Sequence, residues 1–354
     1  MPPFLPGTDV SAAGAYLSRG KRRLNLNLKA SAAADVVKRL LATYDILVEG
    51  YRPGVMSSLG LGYEELRHIN PKLIYCSLTG FGQNGPWARK PGHDINYLAL
   101  SGIMSHSGRR ESGPPPLSVQ IADVAGGSLN AVIGILSAVI ARRDGGLGQY
   151  VDVAMFDGVL AINVLATAGF LIDGREPAPE RQLLNGGTVY DYYRTSDGHY
   201  ISVGALEPKF FQEFCRALCY PNLAVQAARE SACTNDLPQT KTEIQRIISG
   251  QPLAHWLETF QHIEACVEPV LSLGQALNLD QVKARKMVVD VDGPEGMQLR
   301  QLGLPIKFSN TVATPGSITA FDNVEEKQRL LLGELGFQEE EVNQLVQKGI
   351  LVNR

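Results

Sequence analysis

The chain has 354 residues, of which 44% are hydrophobic and 19% charged. This is the make-up of a folded globular protein of about two domains, and it excludes a disordered chain. The formal net charge of -3 leaves no basic excess for a nucleic-acid partner.

The predicted elements begin with a helix over residues 31–43, where Val36, Val37, Leu40 and Leu41 share one face. Ile46, Leu47 and Val48 predict a short buried strand. Tyr63 to His68 predicts a helix, and Leu73 to Leu78 a further strand. This alternation points to an α/β layer with a parallel sheet. Residues 80–86 are a loop by composition. A helix is expected over 124–142, opened by Asp123 as its N-cap and closed by the glycines at 145, 146 and 148. Its charge-free run raises the membrane question, but Gly126, Gly127, Ser128, Asn130, Gly134 and Ser137 favour a buried helix instead. A strand over 151–155 and a helical stretch to about Leu171 follow. Residues 173–187 have linker composition. Strand material at Tyr190, Tyr192, Tyr193 and 200–203 opens a second region with several helices over 208–265. Residues 290–320, rich in glycine and proline, are expected to be irregular, and 325–347 helical.

Signatures for the common ATP, dinucleotide, zinc-protease and serine-hydrolase sites are absent. The five cysteines, Cys76, Cys215, Cys219, Cys233 and Cys266, form no CxxC pair. They predict neither a disulfide framework nor a metal site, and they fit a reducing compartment. No secretory leader pattern opens the chain, so a soluble cytoplasmic protein is expected.

Three polar groups stand in glycine-containing, apolar surroundings. His93 can exchange a proton near neutral pH, with Asp94 as a neighbouring carboxylate; the alternative is a histidine satisfied in a loop. Asp123 is either a plain helix cap or a carboxylate beside first-turn amides that could hold an oxyanion. Glu207, just before Pro208, is either functional or an ordinary first-turn acid. Arg19, Lys21, Arg22 and Arg23 form a basic cluster, either a solvated face or a phosphate contact.

The segments 49–55, 59–61, 70–75 and 79–86, with Gly145 to Asp152, resemble the class III CoA transferase family. Gly92 to Gly102, Ala122 to Ser128, Val203 to Phe211 and Ala265 to Leu271 are similar to segments of its racemase branch, the α-methylacyl-CoA racemases. The resemblance implies an α/β fold, with a Rossmann-like large domain and a small α+β domain in an interlocked homodimer. The large domain would occupy 1–155, shortened at its N-terminus relative to the family. Linkers at 156–189 and 277–319 would flank a small domain over 190–276, and 320–354 would return to the large domain. It further implies racemisation or epimerisation of 2-methylacyl-CoA thioesters by His93, Asp123, Glu207 and Asp94, with Glu207 reaching the site from the second subunit. CoA transfer between carboxylic acids through an aspartyl thioester, and an inactive homologue, are the alternatives. Contacts to CoA fall on Arg22, Leu26, Lys29, Arg52, Gly92 and Tyr97. No metal, and no cofactor beyond the CoA carried by the substrate, is expected; nor is a membrane or nucleic-acid partner. Ser58 stands where the family usually has an arginine, so Lys29, Arg52 and the cluster over 19–23 are expected to carry more of the phosphate binding.

Overall fold

The computed structural model describes residues 2–143, 145–234, 237–312, 314–318, 321 and 323–352. The side chain of Cys233 and the expected domain boundary at 319/320 lie outside the described residues. In chain order the first elements are helices α1 (Ala12–Ser18) and α2 (Ser31–Leu40), strand β1 (Ile46–Glu49), helices α3 (Val55–Ser58) and α4 (Tyr63–Ile69), strand β2 (Ile74–Thr79) and helix α5 (Asp94–Leu100). A π-helix, Ile121–Ser128, runs directly into α6 (Leu129–Arg143). Strand β3 (Tyr150–Ala154) and helices α7 (Met155–Ile162) and α8 (Val164–Asp173) follow. Then come β4 (Asp191–Arg194), β5 (Tyr200–Val203), α9 (Pro208–Ala217), α10 (Asn222–Thr234), α11 (Pro238–Ile248), α12 (Leu253–Phe260) and β6 (Val267–Pro269). Helices α13 (Leu273–Leu277) and α14 (Asp280–Ala284), strands β7 (Val288–Asp292) and β8 (Gln298–Leu302), and helices α15 (Val324–Glu334) and α16 (Glu339–Gln347) complete the chain.

The chain divides into two compact units. One comprises residues 1–45, 54–73 and 271–354; the other comprises 46–53 and 74–270. In the first unit, Val36 of α2 packs with Leu332, Phe337, Val342 and Leu351 of the C-terminal helices and tail. Arg39 lies 3.4 Å over the Phe337 ring and pairs with Glu341 at 2.8 Å. Residues 288–302, inside the stretch expected to be irregular, form the antiparallel hairpin β7–β8 instead, with Val288 opposite Leu302. Its strands are short and its turn holds Gly293, Pro294 and Gly296, so turn composition hides the alternation on either side.

The second unit holds two sheets. Strands β1-β2-β3 are parallel with β2 central, and five of its six residues are buried, as a strand covered on both faces requires. Helix α6 meets this sheet with its small residues: buried Ala131 packs with Cys76 and Val153, and a Cβ on Gly134 would lie 2.8 Å from the Val151 side chain. Its large residues Val132, Ile133, Leu136 and Ile140 are exposed, so the expected buried helix is covered on its small face only. By length and composition the continuous helix 121–143 would suffice to cross a membrane. The antiparallel sheet β4-β5-β6 packs with α9, α11 and α12 around Tyr193, Ile201, Phe214, Ile244, Ile248 and Trp256. Each such side chain contributes roughly 1.5–3 kcal/mol by leaving water.

Candidate active site

The turn that carries His93 is fixed by a tyrosine. The Tyr97 hydroxyl donates to the Gly92 carbonyl at 2.8 Å, and its buried ring meets Phe81 edge-on at 5.2 Å. A Cβ on Gly92 would come within 2.7 Å of that ring, and one on Gly80 within 2.3 Å of its hydroxyl. Glycine at both positions is therefore the condition for Tyr97 to fit. His93 follows as the extended N-cap residue of α5, its N–H donating to Asn96 Oδ1 at 3.0 Å, and its side chain is exposed.

Asp123 is the third residue of the π-helix and not an N-cap, which corrects the sequence expectation. The reason is tertiary. Asp94 of α5 supplies the cap, its Oδ1 accepting from the N–H of Ala122 at 2.6 Å and of Asp123 at 3.0 Å. The helix can therefore open at Ile121. A second expectation falls with it: the amides around Asp123 are not free to hold an oxyanion, because Val124 N–H also donates, to the Gln120 carbonyl at 3.1 Å. By contrast, among the described residues the first two amides of α5, at Asp94 and Ile95 beside His93, have no acceptor.

The wide π turns leave carbonyls that side chains meet. Ser128 Oγ donates to the Asp123 carbonyl at 2.9 Å, and Asn130 Nδ2 to those of Ala125 at 3.1 Å and Gly126 at 2.8 Å. Helix α7 crosses at Gly126, where a Cβ would lie 2.7 Å from the Met155 carbonyl oxygen. Such π segments concentrate at functional sites.

Burial raises the proton affinity of the Asp123 carboxyl above the usual carboxylate range; the Asp94 charge adds to this and the His93 charge opposes it. Burial, then the Asp123 charge, likewise push the Tyr97 phenol up. The structure thus gathers His93, Asp94, Tyr97 and Asp123 into one electrostatic group. It does not bring Glu207 to them. That residue is the exposed, extended N-cap of α9, with Pro208 at the first helical position, and no hydrogen bond or ion pair joins it to His93 within the chain.

In the first unit, Arg22 pairs with Glu334 and donates to the Tyr44 hydroxyl at 2.7 Å, Arg19 donates to the Leu302 carbonyl at 2.7 Å, and Arg23 to Asn25 Oδ1 at 2.7 Å. Each guanidinium of the basic cluster is turned to a different partner. Leu26 bridges Leu351 and packs into the C-terminal core, while Lys29 is exposed. In the second unit Arg52 is exposed just past β1, beside Tyr51, whose N–H donates to Glu49 at 2.7 Å. Among the described residues no group of three His, Cys, Asp or Glu side chains is placed to hold a metal ion.

One feature has no sequence signal. Buried Asp191 takes both ends of the Arg109 guanidinium at 2.5 and 2.7 Å and Lys241 at 2.7 Å, while Glu180 meets Arg109 at 3.0 Å. These residues lie up to 132 positions apart (Arg109 to Lys241), beyond any local pattern. The cluster borders a cavity of about 590 Å³ lined by Gly108, Ser112, Tyr190, Tyr192, Gly204 and Cys266.

Three comparisons bear on this arrangement. The chain is 37% identical over 332 residues to the α-methylacyl-CoA racemase of Mus musculus, covering 93% of this chain and 85% of that protein. It is 34% identical to the acetyl-CoA:oxalate CoA-transferase of Acetobacter aceti, covering 85% and 76%. The crystal structure of a CAIB/BAIF family protein from Brucella suis superposes with a TM-score of 0.74 at 27% identity, covering 94% and 86%. The sequence model of one family matches residues 2–317, nearly all of the chain that carries the two sheets and the His93–Asp123 site, and the chain belongs to that family, CoA-transferase family III.

Proposed function

We propose that the protein is a racemase or epimerase of 2-methylacyl-CoA thioesters. The observation that carries this reading is that Asp94, next to His93 in the cap of α5, holds the Asp123 amide at 3.0 Å, so that the histidine acts on a half-buried carboxyl whose proton affinity burial raises. Inverting a carbon centre by proton transfer needs a base on one face and an acid on the other, each able to change state near neutral pH. Asp123 and His93 take these roles and exchange them with the configuration of the substrate. One removes the α-proton, the electron pair moves onto the thioester oxygen as an enolate, and the other returns a proton to the opposite face. The free amides of Asp94 and Ile95 are the donors beside His93 for that oxygen. The racemase relative supports the substrate class.

Within this proposal the enzyme is a homodimer, and the partner subunit's Glu207 orients His93. The uncovered apolar face of α6 supports an association of this kind. Arg52 is proposed to meet CoA phosphate.

The second reading is CoA transfer, with Asp123 as the nucleophile of an acyl-anhydride route; the transferase relative favours it. Incubation of one enantiomer of a 2-methylacyl-CoA in deuterated water tests the first reading. The expected result is α-deuterium with inversion. Intact CoA binding with neither would overturn it, and hydroxylamine capture at Asp123 after mixing with acyl-CoA would establish transfer.

A further inference from the structure

We propose that Asp94 is a positioning residue for Asp123, holding the mouth of the π-helix that carries Asp123 against the turn that carries His93. The idea rests on the proposed reaction and deepens it. Three observations meet in this one side chain. Asp94 directly follows His93, so its backbone is part of the turn that Tyr97 pins. Its Oδ1 holds two consecutive amides at the mouth of the π-helix, including the amide of Asp123 itself, at 2.6 and 3.0 Å. Its charge acts on the Asp123 carboxyl in the same direction as burial.

A carboxylate that accepts two backbone N–H bonds is held in place by them, and its charge disfavours ionisation of a neighbouring carboxyl. The charged or titratable groups that act on Asp123 are His93 and Asp94, and Asp123 acts on Tyr97, all from α5 and its cap; Asp157 of α7 acts on Asp152 of β3. The Asp94 charge opposes loss of the Asp123 proton, and the His93 charge favours it. Geometry and charge can be separated experimentally, because asparagine keeps the Oδ1 acceptor and loses the charge.

The experiment follows the Asp123 carboxyl directly, by ¹³C NMR titration of aspartate-labelled protein, assigned with Asp123→Asn. In Asp94→Asn the midpoint is expected to fall by about half a unit to one unit, with the Ala122 and Asp123 amides still protected from hydrogen exchange. In Asp94→Ala those two amides are expected to lose protection at least tenfold. An unchanged midpoint in Asp94→Asn would overturn the charge role, and unchanged protection in Asp94→Ala would overturn the cap. These readouts need no turnover, so they stand apart from the α-deuterium test. Kinetics add a third arm if turnover is present. Asp94→Asn should keep KM within about twofold of the parent and move the acid limb of the kcat profile to lower pH, whereas a purely structural residue would leave that limb in place.

Discussion

Gly158 and Gly126 meet backbone to backbone: a Cβ on Gly158 would lie 2.0 Å from the Gly126 carbonyl oxygen. The obstacle is main chain on a rigid helix, so no side chain can swing away to make room. Gly158→Ala is expected to lower stability by about 3 kcal/mol or more. It should also displace the π-helix and reduce proton exchange. Denaturant unfolding with a parallel exchange assay checks both effects, and a variant within about 0.5 kcal/mol of the parent would show that the crossing yields.

The two proton-transfer groups should differ in what their loss leaves behind. His93→Ala is expected to cut inversion by about a hundredfold to ten-thousandfold. Asp123 remains, so slow α-deuterium exchange should survive for the one enantiomer whose proton faces it, with retention of configuration. Asp123→Asn should show the converse preference. Exchange of both enantiomers at equal rates in either variant would contradict a two-sided site.

Asp191 gives a prediction about acid stability. Burial alone would raise its carboxyl, but the bonds from Arg109 and then Lys241 outweigh this and hold it below the usual range. The folded value is thus depressed relative to the unfolded one. The stabilisation is present above the unfolded value near 3.9 and is lost as pH falls through the folded value. Asp191→Asn removes the ionic partner of Lys241, which keeps only the Gly186 carbonyl, and leaves Arg109 with Glu180. The expected loss is about 2–3 kcal/mol at pH 7, reduced from a fully buried pair because Arg109 is 43% exposed. It should shrink as the pH falls below the unfolded carboxyl's range, as urea melts across the pH range would show.

The outward face of α6 tests the association. Val132→Glu with Leu136→Glu places two charges where the proposed partner would sit, away from the sheet. An unpaired carboxylate in a dry interface costs about 3 kcal/mol or more, over a hundredfold in Kd. Sedimentation should show a dimer for the parent and a monomer for the variant. A parent that sediments as a monomer would remove the second subunit from the site.

Much of the fold was legible because its signals are local. The Ile46–Val48 run gave its strand, though as an exposed edge strand and not a buried one, and the spacing of Val36 and Leu40 and the tyrosines before Gly204 each gave an element close to where the structure has it. The helix at Asp123 was found, but its start was misplaced. Aspartate before an apolar run reads as a cap, whereas the true cap comes from Asp94, 29 positions upstream. The same distance hid the loss of the expected oxyanion amides. His93 and Asp123 were read from the sequence, and in the structure the His93 charge acts on the Asp123 carboxyl, while Asp191 with Arg109 and Lys241 left no trace in it. Turn chemistry masked the β7–β8 hairpin, since glycine and proline fill the link between two five-residue strands.

The π-helix has a consequence for how this site tolerates insertion and deletion. Bonds in a π turn span one residue more than in an α turn, so the segment holds an extra residue within an otherwise continuous helix. Excising Ala125 would allow the span to close as an ordinary α-helix. Everything before the deletion would then rotate by about 100° relative to everything after it. Ala131, Gly134 and Ala138 would stay on the sheet, while Asp123 would turn away from His93 and its amide away from Asp94. The position of the carboxylate is thus encoded by register as much as by residue identity, and a one-residue deletion separates the chemistry from the scaffold with every named side chain still in the chain.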